Sequence, residues 1–226
     1  MTDTIEILPA VIPPDAESFG RAAAQVRSFS QWVHLDVEDG MFTENFSWPY
    51  VSKGELISAS LMLPQVAIEA HLMVQAPEEV GTLLAGSGVR RIIAHIEAFK
   101  NPEEARTVLR AWRTQGVEVG LAILIETPLS ALAGAGEECD CIQVMSIAKI
   151  GAHGAPFDAR AIGRVGELHQ TYQHAVIGVD GGISSRNIAE LVRIGARRFA
   201  AGSAIFDHGD STANYNMLKS TAAHAL

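Results

Sequence analysis

With 226 residues, 48% of them hydrophobic and 19% charged, the chain can bury a large core and is too apolar to stay disordered. A formal net charge of −9 argues against a nucleic-acid or anionic-membrane partner. No apolar run approaches the ~20 residues of a membrane span. The opening MTDTIEILPA lacks a basic segment followed by an apolar one, so no secretory signal is read and a cytoplasmic location is expected.

Apolar runs with strand character recur from end to end. The first is IEILPAVI (5–12), the second WVHLDV (32–37) and the third VAIEAHLMV (66–74). A helix is then expected in PEEVGTLLAG, which opens with proline and acids as a first turn prefers. The fourth run is RRIIAHIEA (90–98), followed by NPEEARTVLRAWRTQG, a helix with an Asn cap, a first-turn proline and a glycine stop. The fifth and sixth runs are VEVGLAIL (117–124) and CDCIQVMSI (139–147). The latter holds both cysteines, Cys139 and Cys141. Their spacing is neither a zinc-knuckle nor a redox one, and on a strand they would share one face as small core residues. AVIGVD (175–180) is the seventh run, SSRNIAELVRIGA a helix opening on serines, and RRFAAGSAIF (197–206) the eighth run.

Strands alternating with helices imply a parallel sheet. Eight such units with no linker between them predict one domain, residues 1–226, folded as a (β/α)8 TIM barrel. An open doubly wound sheet is the alternative, but no phosphate-loop lysine motif and no G-x-G-x-x-G follows a first strand.

In a barrel the active site lies at the C-terminal ends of the strands. His34 and Asp36 stand there on the second run, His71 on the third and Asp180 on the seventh. The i, i+2 spacing puts His34 and Asp36 on one face. If that face is the interior, two imidazoles and two carboxylates meet, a donor set that suits one divalent ion: Zn, Fe, Mn or Co. Taken singly, each also has a structural reading, as a hydrogen-bonded histidine or an acid capping the next helix. In VIGVDGGIS, Gly181 and Gly182 follow Asp180. They permit close backbone approach to a ligand, and Gly202 with Ser203 repeat the pattern after the eighth run, where barrels often bind phosphate. A tight strand-to-helix turn is the alternative for the glycine pair.

Several segments, in order, resemble the ribulose-phosphate 3-epimerase family: HLDVEDGMF (34–42), Asn45 in FTENFS, HLM (71–73), Met145 in VMSI, VDGGI (179–183) and AGSAIF (201–206). The resemblance implies a divalent metal held by His34, Asp36, His71 and Asp180. It implies a small-molecule sugar-phosphate substrate, a ketose phosphate inverted at C3 by Asp36 and Asp180 acting from opposite faces. Met73 and Met145 would form soft walls. Gly151 and Gly154 would lie in the loop that covers the substrate, and Gly181, Gly182, Gly202 and Ser203 would hold its phosphate. A homo-oligomer is expected.

The chain also departs from the family pattern. Two serines expected near the start are Ala10 and Pro13, so a hydroxyl contact beside the substrate is lost. The methionine of the second-run motif is Glu38, an acid that burial would penalise unless it ligates, is protonated or finds a cation such as Lys149. The loop IGAHGAPF (150–157) keeps two glycines and gains His153. Three readings follow: a ribulose 5-phosphate/xylulose 5-phosphate 3-epimerase, an epimerase of another ketose phosphate such as a hexulose 6-phosphate, or a non-catalytic homologue that binds metal and sugar phosphate. The D-x-K-x-x-D of related decarboxylases is absent, since Glu38 follows Asp36 at i+2.

Overall fold

The computed structural model describes residues 4–57, 61–151 and 154–226. Eight parallel strands close into a barrel in which each pairs with two neighbours. The order around it is β1 (Glu6–Val11), β10 (Arg198–Ala201), β9 (Val176–Asp180), β8 (Cys141–Met145), β7 (Glu118–Ile123), β6 (Arg91–His95), β5 (Ala67–Met73) and β2 (Trp32–Glu38). The missing numbers, β3 (Tyr50–Ser52) and β4 (Glu55–Leu56), form a small antiparallel hairpin outside the barrel.

Local chemistry starts and stops the outer helices. Asp15 Oδ1 accepts the Ser18 N–H at 2.7 Å and opens α1 (Ala16–Val26). Pro77, Glu78 and Glu79 begin α2 (Pro77–Ser87), which ends at Gly88 in the left-handed region (φ 99°). Asn101 Oδ1 accepts the Glu104 N–H at 2.9 Å and caps α3 (Pro102–Arg113). Further on lie α4 (Arg160–Thr171), α5 (Ile188–Arg193), α6 (Ser203–Phe206) and α7 (Ser211–Ala223). Outward strand residues such as Leu35, Ile92 and Val179 pack against this layer in one continuous core. No helix among the described residues is long and apolar enough to cross a membrane.

The helical layer is less regular than eight repeated units. Between β7 and β8 the chain makes two short 3-10 turns, Leu129–Leu132 and Gly136–Glu138, in place of an α-helix. α5 starts at Ile188 rather than at the serines, because residues 184–187 form a turn in which Asn187 Oδ1 accepts the Ser184 N–H. The 3-10 turn also delays β8 to Cys141. Cys139 therefore lies outside the strand and packs in the outer core, whereas Cys141 packs inside with Ile93 and Ala122, so the two share no face.

The N-terminal end of the barrel interior is plugged by charge. Arg91 and Arg198 reach Glu6 at 2.9 and 2.7 Å, Arg91 reaches Glu118 at 2.9 Å, and Arg198 reaches Glu69 at 3.0 Å. The Arg91 guanidinium lies 3.7 Å from the ring centroid of Trp32.

Candidate active site

Parallel pairing in register brings the C-terminal halves of β2, β5 and β9 to one level. Asp36 pairs with His71 across β2 and β5, and Asp180 ends β9. The inward period-2 face of β2 carries His34 and Asp36 together. One donor atom from each of His34, Asp36, His71 and Asp180 lies within 4.8 Å of all the others. His71 Nδ1 stands 3.0 Å from Asp36 Oδ1 and 3.2 Å from Asp180 Oδ2. His34 Nε2 stands 3.4 and 3.7 Å from the same two oxygens and has no hydrogen-bond partner among the described residues. A buried nitrogen left over in front of two carboxylates is what a divalent cation would satisfy, and with metal–nitrogen and metal–oxygen bonds of ~2.0–2.2 Å the spacing fits a single ion.

The electrostatics point the same way. Burial alone would lower both imidazoles, but hydrogen bonds and charge from Asp180 and Asp36, with Glu69 added for His34, outweigh it and raise both. Burial alone would raise the two aspartates, and the two histidines outweigh it and lower both. The four residues together favour positive charge at their centre.

Each aspartate is held in place by its neighbours. Gln143 Nε2 donates to Asp180 Oδ2 at 3.3 Å, and Ser146 Oγ bonds the Asp180 and Gly181 carbonyls at 3.0 and 2.6 Å. Ser47 Oγ donates to the Asp36 carbonyl at 2.9 Å. A cleft opens above the cluster. Asp36 and Asp180 line it, with Ala10, Met73, Met145, Gly151, Gly154, Gly181, Gly182, Gly202 and Ser203. The two glycines after Asp180 are required by geometry. Both have positive φ, 109° and 63°, and a Cβ would lie 2.8 Å from Ile147 at Gly181 and 2.7 Å from the Phe157 nitrogen at Gly182.

All eight residues expected around the substrate thus border the cleft, and all four expected metal ligands converge beneath or beside it. Ala10 lies on the wall of the cleft. Asn45 Nδ2 donates to the Gly151 carbonyl at 2.9 Å and ties the loop after β2 to the loop after β8. His153 lies outside the described residues.

Glu38 meets its burial in one of the three ways expected, by a raised carboxyl pKa rather than by a cation partner. It is fully buried, but it is not among the described residues that line the cleft. Its Oε2 lies 3.5 Å from Thr43 Oγ1, and its Oε1, without a hydrogen-bond partner among the described residues, sits under Gly151. Burial and the nearby Asp36 carboxylate push its carboxyl up to about 8, which favours the protonated form at neutral pH when no cation sits on Asp36. Lys149 is not its counter-ion: that ammonium is exposed and pairs with Glu44 at 3.0 Å.

Two buried groups and one half-buried group behind the cluster escape the sequence reading. Glu69 Oε1 lies 2.8 Å from His34 Nδ1. His95 Nε2 lies 3.0 Å from His71 Nε2, and Glu97 Oε2 lies 3.2 Å from His95 Nδ1. The signals were present: Glu69 shares the period-2 face of His71, and His95 and Glu97 stand near the end of the fourth run.

A model of the ribulose-phosphate 3 epimerase family matches residues 6–206. The chain is 30% identical to the ribulose-phosphate 3-epimerase of Aquifex aeolicus, over 97% of this chain and 98% of that protein. It is 30% identical to that of Treponema pallidum, over 91% and 93%. Among solved structures, 3-hexulose-6-phosphate synthase from Salmonella typhimurium superposes with a TM-score of 0.70 at 15% identity, covering 98% of this chain and 100% of that one. A 3-keto-L-gulonate-6-phosphate decarboxylase from Vibrio cholerae gives 0.68 at 10% identity, covering 100% of both. At such identities these two structures speak for the barrel alone.

Proposed function

The chain belongs to the ribulose-phosphate 3-epimerase family, and from that premise we propose that it inverts C3 of a ketose phosphate, ribulose 5-phosphate to xylulose 5-phosphate and back. The observation that carries the reading is the convergence of Asp36 and Asp180 at the floor of one glycine-walled cleft.

Inversion needs two groups, because a single base would return the proton to the face it came from. Asp36 and Asp180 come from strands separated by β1 and β10, so they approach a ligand from two directions. One, as a carboxylate, takes the C3 proton, and the C–H electron pair moves toward the C2 carbonyl to give an enediolate. The other gives its proton to the opposite face of C3. Each turnover thereby exchanges the protonation states of the two aspartates and leaves the pair set for the reverse reaction. His34, Asp36, His71 and Asp180 would hold one divalent ion, whose chemistry when bound is to neutralise the negative charge that develops on the enediolate oxygens. Met73 and Met145 keep water from the reacting carbon and offer polarisable walls. Gly181, Gly182, Gly202 and Ser203 bring backbone close enough to receive the phosphate.

A second reading, a different ketose phosphate such as a hexulose 6-phosphate, is favoured by Ala10 on the cleft wall, where a polar contact is lost. Turnover of a panel of pentulose and hexulose phosphates, with and without added Zn²⁺, Mn²⁺, Fe²⁺ or Co²⁺, tests both. The primary reading expects ribulose 5-phosphate to show the highest kcat/KM. Faster turnover of a hexulose phosphate selects the second reading, and no turnover of any member leaves a binding protein.

A further inference from the structure

The two histidines face the cluster with different nitrogens, Nε2 for His34 and Nδ1 for His71. A neutral imidazole has one N–H and one bare nitrogen, and only the bare one can coordinate. What lies behind each ring decides which nitrogen that is. Behind His34 stands the Glu69 carboxylate, 2.8 Å from Nδ1. An ionised carboxylate only accepts, so Nδ1 carries the proton and Nε2 is bare.

Behind His71 stands a third imidazole. His71 Nε2 and His95 Nε2 are 3.0 Å apart, and two nitrogens at that distance need one proton between them. The far side of His95 settles who holds it. His95 Nδ1 faces Glu97 Oε2 at 3.2 Å, while Glu97 Oε1 accepts the Leu124 N–H at 2.8 Å. Glu97 therefore keeps the His95 proton on Nδ1, which leaves His95 Nε2 as an acceptor. His71 must then donate from Nε2, so that a cation displacing the proton its Nδ1 gives to Asp36 at 3.0 Å finds that nitrogen bare. The rings are held for this exchange. His95 is fully buried, stacks on His71 at 5.0 Å between centroids, and is covered by Phe42 at 4.9 Å.

We propose that His95, oriented by Glu97, is a positioning residue that sets His71 to coordinate through Nδ1. The inference rests on the cation site proposed above. Its consequence is that the two ligand histidines are set by different devices, one by a carboxylate directly and the other by a carboxylate acting through a second histidine.

Zn²⁺ alone, competed against a chromophoric chelator, probes the full chain. His95→Phe keeps a flat ring but cannot accept from His71, and should weaken Zn²⁺ binding roughly 10–100-fold. His95→Gln offers a side-chain oxygen near the position of Nε2 and should recover most of that loss. Nitrogen NMR of the unaltered protein should show His95 protonated on Nδ1 and bare at Nε2, with or without zinc. Wild-type affinity in His95→Phe, or a His95 proton on Nε2, would overturn the relay. The NMR result stands even if His95→Phe fails to fold. An unaltered protein that binds no zinc would instead overturn the cation site, and the His95 tautomer would still test the relay on its own.

Discussion

At the N-terminal ends of the strands, Glu6, Glu69 and Glu118 face Arg91 and Arg198 at ion-pair distances of 2.7–3.0 Å. At the C-terminal ends, Asp36 and Asp180 face two imidazoles, one of which has a buried nitrogen without a hydrogen-bond partner among the described residues. Both ends bury charge in the same barrel. The first end supplies its own cations, fixed on guanidinium forks, and so is a structural plug. The second sets its two carboxylates against imidazoles, whose protons a divalent cation could replace. At the second end the unpartnered His34 nitrogen faces two carboxylates beneath a cleft, an arrangement that a cation would complete.

The contrast predicts that the two ends fail differently. Asp180→Asn should cut deuterium exchange at C3 of the ketose phosphate by about 10²–10⁴-fold while leaving the melting temperature near that of the unaltered chain. Exchange at the unaltered rate would remove Asp180 from the acid–base pair. Arg91→Met should do the reverse. It strips Glu6 and Glu118 of a partner and the Trp32 ring of its cation, and should cost about 3 kcal/mol, or roughly 6–12 °C in Tm. Zn²⁺ stoichiometry should not change. Lost metal with unchanged Tm would erase the distinction between the two ends.

Glu38 sits between these cases, buried at the mouth without a cation. Its folded pKa of about 8 lies above the ordinary carboxylate value of 4.5. A raised acid gives stability that is fully present below the unfolded pKa and is lost as pH rises toward the folded one. The window is therefore pH 4.5 to 8. In chelator-treated protein, Glu38→Gln removes this loss, so its Tm advantage over the unaltered chain should grow by roughly 7–14 °C from pH 5 to pH 8 and then level off. A flat difference would mean that Glu38 is already paired.

The barrel was legible because eight runs bury both faces and repeat at regular spacing, and the four candidate ligands because they are polar residues set into those apolar runs, with Asp180 at a strand's end. Two kinds of feature were not. Helix positions failed where loops carry no period, as between β7 and β8, where 3-10 turns replace a helix. The relay failed because its members are far apart in sequence: His34 meets Glu69, and His71 meets His95, only when β2, β5 and β6 pair in register. Lys149, a candidate cation for Glu38, could not be placed, since nothing in a sequence says which way a loop lysine turns; it pairs with Glu44.

The central claim, two-sided proton transfer at C3, is tested most directly by following ribulose 5-phosphate with the metal-loaded protein in D2O by proton and carbon NMR. The account predicts xylulose 5-phosphate carrying deuterium at C3, formed by the unaltered chain and not by Asp180→Asn. Inversion at C3 with the original proton retained, or no deuterium at C3 in either sugar, would contradict it.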